Sequence, residues 1–116
     1  MPREIEELQA ALREFAGERK WEQFHTPKNL AAALSVEAAE LLEHFQWLTD
    51  EQSRTLSAKQ RYKVGEEIAD VLLYLLQLAD KLAINPIEAA KCKMQANALK
   101  YPVERAKGSM TKYTEL

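Results

Sequence analysis

The amino-acid sequence predicts an all-α protein, a four-helix bundle or something close to it. Apolar residues recur at helical spacing along most of the 116 residues. Only three glycines and four prolines are present, whereas a sandwich or barrel needs many tight turns. Two of the prolines directly follow a residue that favours the helix N-cap. Because a chain of this length builds one hydrophobic core, we expect a single domain over residues 1–116.

Four helices follow from the apolar periodicity and from the stop signals between its segments. The predicted helices span about residues 3–17, 27–47, 58–82 and 86–100. Thr26, Ser57 and Asn85 stand at the cap positions of the last three. A polar connection is expected over about 49–56, and the tail over about 103–116 is expected to be irregular. Since a polar interior leaves so short a chain marginally stable, we expect it to form an oligomer.

Composition excludes several classes of protein. Hydrophobic residues make up 47% and charged residues 29%, which is typical of a globular protein and not of a disordered one. The longest apolar run, Val71 to Leu76, is far too short to span a membrane. No cationic stretch followed by an apolar one opens the sequence, so we expect no secretory signal and a cytoplasmic location. The single cysteine, Cys92, excludes an internal disulfide and a cysteine-based zinc cage.

The charge is divided unevenly along the chain. The formal net charge of −2 does not favour binding to a nucleic-acid polymer, which usually requires a basic excess. Residues 36–70 carry eight acids and four bases, whereas residues 91–112 carry six bases and one acid. This division suits a metal site that faces a segment holding a polyphosphate.

Two pairs of acids at i, i+3 spacing are the most informative feature. Glu37 and Glu40 lie on the second predicted helix, and Glu67 and Asp70 on the third. The spacing places both carboxylates of a pair on one helix face, and the surrounding positions are mostly apolar or small. We therefore expect the four acids to meet between these two helices.

Acids that converge in this way must be neutralised. Each close like-charge pair costs on the order of 4 kcal/mol at an effective dielectric near 20, and desolvation adds to this cost. Either some of the acids stay protonated or a cation lies among them. Oxygen ligands without cysteine suit a hard cation such as Mg²⁺, and the two predicted helices that carry the acids lack the Glu-x-x-His spacing of helical di-iron sites. The open alternative is that all four are solvated charges or ion-pair partners. Glu66 could join the site, whereas Glu43 is better explained as solvated.

An ordered set of short segments accompanies these acids along nearly the whole chain. The segments are residues 18–30 (ERKWEQFHTPKNL), 43–47 (EHFQW), 67–74 (EIADVLLY), 93–97 (KMQAN), 100–102 (KYP), 107–109 (KGS) and 112–114 (KYT). With the four acids, this set resembles the all-α nucleoside triphosphate pyrophosphohydrolases of the MazG-like type, and most of all their dCTP pyrophosphatase branch.

The resemblance implies a Mg²⁺-dependent enzyme that cleaves a nucleoside triphosphate between its α and β phosphates. The products are the monophosphate and pyrophosphate, and the implied substrate is dCTP or a modified dCTP. By the same resemblance, Glu37, Glu40, Glu67 and Asp70 hold the metal, and one of them serves as general base. A homotetramer is favoured over a dimer.

The resemblance also implies a set of substrate-binding residues. Trp21 and Trp47 contact the base, Tyr74 borders the sugar, Lys93 and Asn97 contact the phosphates, and Lys107, Ser109 and Lys112 lie in a tail that can close over the site. The residues alone leave other interpretations open. Both tryptophans and Tyr74 suit core positions, and Lys93 suits an exposed surface.

Four further residues bear on the interpretation. We expect His25 to structure its loop and His44 to be exposed or to cap a helix, and no nucleophilic Cys/His arrangement includes Cys92. Leu12 stands where the resembled branch has a histidine that contributes to base recognition, which leaves the preferred base open. Two alternatives to the enzyme also remain: a non-catalytic helical oligomerisation module, and a module that binds a nucleotide as a signal.

Overall fold

Helices make up most of the described part of the chain. The computed structural model describes residues 3–112 and 114. Its helices are α1 (Arg3–Glu18), α2 (Pro27–Glu43), α3 (Asp50–Arg54), α4 (Ala58–Lys81), α5 (Pro86–Lys100) and α6 (Val103–Ala106), with a 3-10 turn over Glu22–Phe24. These residues contain no strand, so the all-α prediction is confirmed for them. None of the helices in this part of the chain is both long and apolar enough to cross a membrane.

The three predicted helix starts are confirmed by their caps. The Thr26 hydroxyl accepts a hydrogen bond from the backbone N–H of the third residue of α2, over 3.1 Å. Ser57 and Gln60 form a reciprocal capping box at the start of α4. Asn85 accepts two backbone N–H bonds at the start of α5, each 3.1 Å long. Each cap satisfies backbone donors that the first helical turn leaves without a partner.

Helix α2 ends earlier than the sequence predicted. It stops at Glu43 rather than near Trp47, and residues 44–47 form a turn. The backbone N–H of His44 bonds to the carbonyls of both Leu41 and Leu42, which tightens the chain into 3-10-like geometry. His44 is therefore the helix C-cap, as the sequence had suggested.

Two short helices lie in segments that the sequence predicted as a polar connection and an irregular tail. In α3, Thr49 and Gln52 form a second capping box, a Thr-x-x-Gln signal that the sequence contains but that the prediction overlooked. In α6, one helical turn follows Pro102, whose fixed φ suits a helix start. The rest of the described tail is irregular, as predicted.

Helices α1 and α2 both pack against α4 in a compact unit that includes residues 3–84. Leu30 of α2 and Leu76 of α4 are the most deeply buried large side chains, with 1% and 2% of their surface exposed. The buried Gln9 side chain of α1 donates a hydrogen bond to the carbonyl oxygen of Leu76, over 3.0 Å. These contacts fix the register of α1 and α2 on the long helix that carries Glu67 and Asp70.

The described residues from Asn85 onward form a second compact unit, which contains α5 and α6. None of its described residues is buried, and Met94 and Leu99 expose 72% and 83% of their surface. Gly108 has a φ of +78°, a left-handed conformation that glycine adopts without steric cost. The single domain, the four-helix bundle and the oligomer stay predictions.

Candidate active site

Carboxylates of α2 and α4 meet at one place. Oxygen atoms of Glu37, Glu67 and Asp70 all lie within 4.8 Å of one another. The Glu40 side chain, one turn along α2, lies within hydrogen-bonding reach of Glu37. The structure therefore brings together the two predicted pairs, because α2 and α4 are in direct contact and each pair occupies one helix face.

Two of these carboxylate oxygens are buried without a hydrogen-bond donor among the described residues. They are Oε2 of Glu37 and Oε2 of Glu67. The hydrogen bond with Glu40, burial and the hydrogen bond with Glu67 together raise the pKa of Glu37 from 4.5 to about 7. Each of these causes favours the protonated carboxyl over the charged one. The cluster thus carries an electrostatic cost that the residues around it do not offset.

The donor set of this cluster fits a divalent metal ion. Buried acceptors without donors are rare in proteins, and each one calls for a partner. A cation supplies that partner, and carboxylate oxygens without histidine or cysteine suit a hard ion. Glu66 and Glu43, the two neighbouring acids, are both exposed and lie outside the three-carboxylate group.

A cleft of about 170 Å³ adjoins the cluster. Its walls come from α1, from the segment after α1, and from α4. They are Leu12, Phe15, Ala16, Trp21, His25, Asp70, Leu73, Tyr74 and Gln77. Asp70 belongs both to the acid cluster and to the cleft wall, so the two form one continuous site. Trp21 and Tyr74, two of the predicted substrate-binding residues, line this cleft with it.

Trp21 is held at the cleft by the turn that follows α1. Its backbone N–H bonds to the carbonyl of Ala16 over 2.9 Å. The rings of Phe15 and His25 lie 5.7 Å and 6.3 Å from the indole, at interplanar angles of 69° and 68°. Since neither ring stacks in parallel on the indole, and 44% of Trp21 is exposed, a flat aromatic ligand can stack there.

The α4 wall of the cleft contains a residue that the sequence analysis missed. Asp70, Leu73, Tyr74 and Gln77 follow the i, i+3, i+4, i+7 spacing of a single helix face. The half-buried Gln77 could therefore have been found by extending the line from Asp70 through Tyr74. His25, expected only to structure its loop, also lines the cleft.

The other predicted binding residues do not line this cleft. Trp47 lies on the turn after α2 with 85% of its surface exposed, so it is not a core plug. Lys93 and Asn97 are exposed residues of α5. Lys107, Ser109 and Lys112 are exposed in the tail, where the Ser109 hydroxyl donates a 2.8 Å hydrogen bond to Thr111. Tyr113, which belongs to the motif over 112–114, lies outside the described residues.

Comparison with known proteins identifies the family. The MazG-like family model matches residues 32–116. The chain belongs to the MazG-like family. Over 114 residues this MazG-like protein is 43% identical to bovine dCTP pyrophosphatase 1 and 43% identical to the human protein of that name. The matches cover 97% of the chain and 68% and 67% of those relatives.

A solved structure agrees with this assignment. The crystal structure of a pyrophosphatase from Archaeoglobus fulgidus shares 49% sequence identity with this MazG-like protein, at a TM-score of 0.70. The match covers 88% of this chain and 95% of the other. The family resemblance read from the ordered motifs is thereby confirmed.

Proposed function

We propose that this MazG-like protein is an enzyme that hydrolyses a deoxynucleoside triphosphate, dCTP or a modified dCTP, to the monophosphate and pyrophosphate. Its relatives in the bovine and human proteomes are dCTP pyrophosphatases, and the similar archaeal structure is that of a pyrophosphatase. A role in clearing or controlling the nucleotide pool follows from that reaction.

One observation carries the proposal: the acid cluster and the aromatic cleft share Asp70. A site for this reaction must hold the triphosphate beside a cation and the base beside an apolar surface. The cluster of Glu37, Glu67 and Asp70 offers a place for the cation, and the indole of Trp21, which lines the adjoining cleft, offers an apolar surface for the base. Tyr74 lines the same cleft one helical turn from Asp70, which supports the proposal that it borders the sugar.

Glu37, Glu40, Glu67 and Asp70 are the residues that would hold Mg²⁺. When bound, this ion neutralises charge on the phosphate oxygens and helps to activate a water molecule. A carboxylate of the same cluster accepts the proton of the attacking water. The indole of Trp21 stacks on the base, an interaction of about 1–3 kcal/mol per base.

The remaining predicted residues complete the proposal. Lys93 and Asn97 contact the phosphates, Trp47 contacts the base, and Lys107, Ser109 and Lys112 belong to the closing tail. We also propose a homotetramer, because several large apolar side chains are exposed on α2 and α4. These are Val36, Leu42, Ile68 and Leu72, which expose 57%, 59%, 54% and 39% of their surface.

Product analysis tests the reaction. The purified protein, incubated with Mg²⁺ and dCTP, is expected to release pyrophosphate and dCMP, which chromatography separates from dCDP and phosphate. Glu67→Gln is expected to lower kcat at least about a hundredfold, because a metal ligand is worth several kcal/mol. Glu66→Gln is the matched control at the neighbouring exposed position and is expected to keep full activity.

The two alternatives give different results. A nucleotide-sensing module would bind dCTP and leave it intact, and an oligomerisation module would neither bind it nor respond to Mg²⁺. Thermal melting distinguishes the oligomerisation module from the two nucleotide-binding alternatives, because ligand at a hundredfold excess over its Kd stabilises the folded state by about 2.7 kcal/mol. An unchanged melting temperature with Mg²⁺ and dCTP, together with intact dCTP, would reject the enzyme.

A further inference from the structure

Gln77 is a polar side chain of the cleft that has no role in the proposed function so far. Gln77 lies on the same face of α4 as Asp70 and Tyr74, two helical turns from the acid. Seven residues of α-helix rise about 10.5 Å. If the triphosphate lies at the acids and the sugar at Tyr74, the base lies beside Gln77.

The present hydrogen bond of Gln77 is easily exchanged. Its Nε2 donates over 3.2 Å to the carbonyl oxygen of Leu73, one turn back on the same helix. That carbonyl already accepts the backbone N–H of the α-helical ladder. The side-chain amide can therefore turn toward a ligand without leaving a buried acceptor unsatisfied.

Apart from His25 and Asp70, the side chains that line the cleft with Gln77 are apolar or aromatic. Leu12, Phe15 and Leu73 line it with hydrocarbon surface, and Trp21 offers an indole face. Groups of this kind bind the faces and methyl substituents of a base but do not distinguish its hydrogen-bonding edge. A carboxamide does, because it presents a donor and an acceptor side by side.

We propose that Gln77 is a specificity-determining residue that hydrogen-bonds the edge of a pyrimidine base. The inference rests on the proposed function and extends its substrate from dCTP to the deoxynucleoside triphosphates of both cytosine and thymine. The carboxamide pairs with cytosine by accepting from N4 and donating to N3. Turned by 180°, it pairs with thymine by donating to O4 and accepting from N3. The apolar lining accommodates a methyl group at position 5. The site therefore accepts cytosine and thymine with similar efficiency.

Steady-state kinetics with dCTP and dTTP test this proposal. Wild-type protein is expected to give kcat/KM values for the two substrates within about tenfold of each other. Gln77→Met keeps the length of the side chain and removes both hydrogen-bonding groups. It is expected to lower kcat/KM for both substrates by about 5- to 150-fold, the range of a bidentate contact with a base. The loss is expected mainly in KM, because the base contact is the same in the ground and transition states.

The control is Gln95→Met, which makes the same chemical change at an exposed position of α5 and is expected to leave both kcat/KM values unchanged. Unchanged kinetics in Gln77→Met would overturn the proposal while leaving the pyrophosphatase assignment intact. A wild-type preference of more than about a hundredfold between dCTP and dTTP would overturn the claim that one amide accepts both edges. A wild-type protein that cleaves neither substrate would overturn the proposed function and this inference together.

Discussion

Helix α4 carries acids in two contrasting environments. Asp80, near its C-terminal end, receives two 2.8 Å contacts from one guanidinium nitrogen of Arg13 in α1. Ten and thirteen residues earlier, Asp70 and Glu67 face Glu37 of α2 in a group of like charges. The first acid is neutralised by the chain itself, whereas the second group leaves buried oxygens without donors.

The contrast separates an acid whose partner stabilises the fold from acids to which we assign a role in function. An ion pair between two helices contributes to packing, and its loss is felt in stability. A like-charge cluster opposes folding, so its presence supports the proposed role in binding a cation. We therefore expect opposite changes in the free energy of unfolding. Removing a partner of the Arg13–Asp80 pair lowers it, whereas removing an acid of the cluster raises it when no cation is present.

The largest expected effect comes from Glu37→Gln. The substitution removes the acid that contacts both Glu40 and Glu67, and with it a ligand of the proposed metal. We expect kcat to fall at least about a hundredfold. Without divalent cations, we expect the free energy of unfolding to rise by about 0.5–2 kcal/mol, because a buried like charge is lost. Pyrophosphate-release kinetics with Mg²⁺ and urea unfolding in EDTA measure the two effects.

Glu43→Gln is the control for that substitution, since Glu43 lies on the same helix and is exposed. It is expected to change neither kcat nor the free energy of unfolding in EDTA. If Glu37→Gln instead loses stability in EDTA, the cluster is an internal network that supports the fold, and the contrast with Asp80 is wrong.

A smaller effect is the pH dependence of stability in EDTA. The pKa of Glu37 is about 7 in the folded protein and 4.5 in its unperturbed state. Between these values the folded state retains a proton that the unfolded chain has released. The free energy of unfolding therefore falls as the pH rises through this window, and the loss is complete above about pH 7.

Urea titrations at several pH values measure this slope. Glu37→Gln is expected to remove the part of the decline that lies between pH 4.5 and about 7, whereas Glu43→Gln is expected to retain it. If the free energy of unfolding falls equally steeply with pH in the wild-type protein and in Glu37→Gln, the neighbouring acids do not raise the pKa of Glu37.

The acid cluster could be predicted because helical spacing is a local property. The i, i+3 pairs define one face of each helix, and the apolar stripe indicates that this face turns toward the neighbouring helix. What the sequence could not provide is which oxygens lack donors, since that depends on the arrangement of α2 against α4. Trp21 was found through its motif, although its position depends on the turn after α1.

The misses have equally physical causes. Gln77 lay outside every motif; helical spacing from Asp70 gives its face, but the cleft lined by α1 and α4 shows that this face is open to a ligand. The end of α2 was placed too late because residues 44–47 contain no glycine or proline, so nothing in the sequence marks the turn. The capping box of Thr49 was available but was overlooked within a polar connection.

The smallest expected effect comes from Arg13→Met, which removes the cation from the pair with Asp80. The Arg13 side chain is 57% exposed and the Asp80 side chain 26%, so solvent screens the interaction. We expect the free energy of unfolding to fall by about 0.2–1 kcal/mol, and kcat/KM to stay within about twofold of the wild-type value. Because this change lowers stability and spares activity, it is the opposite of Glu37→Gln. A hundredfold loss of activity in Arg13→Met would mean that the ion pair belongs to the site and does more than join α1 to α4.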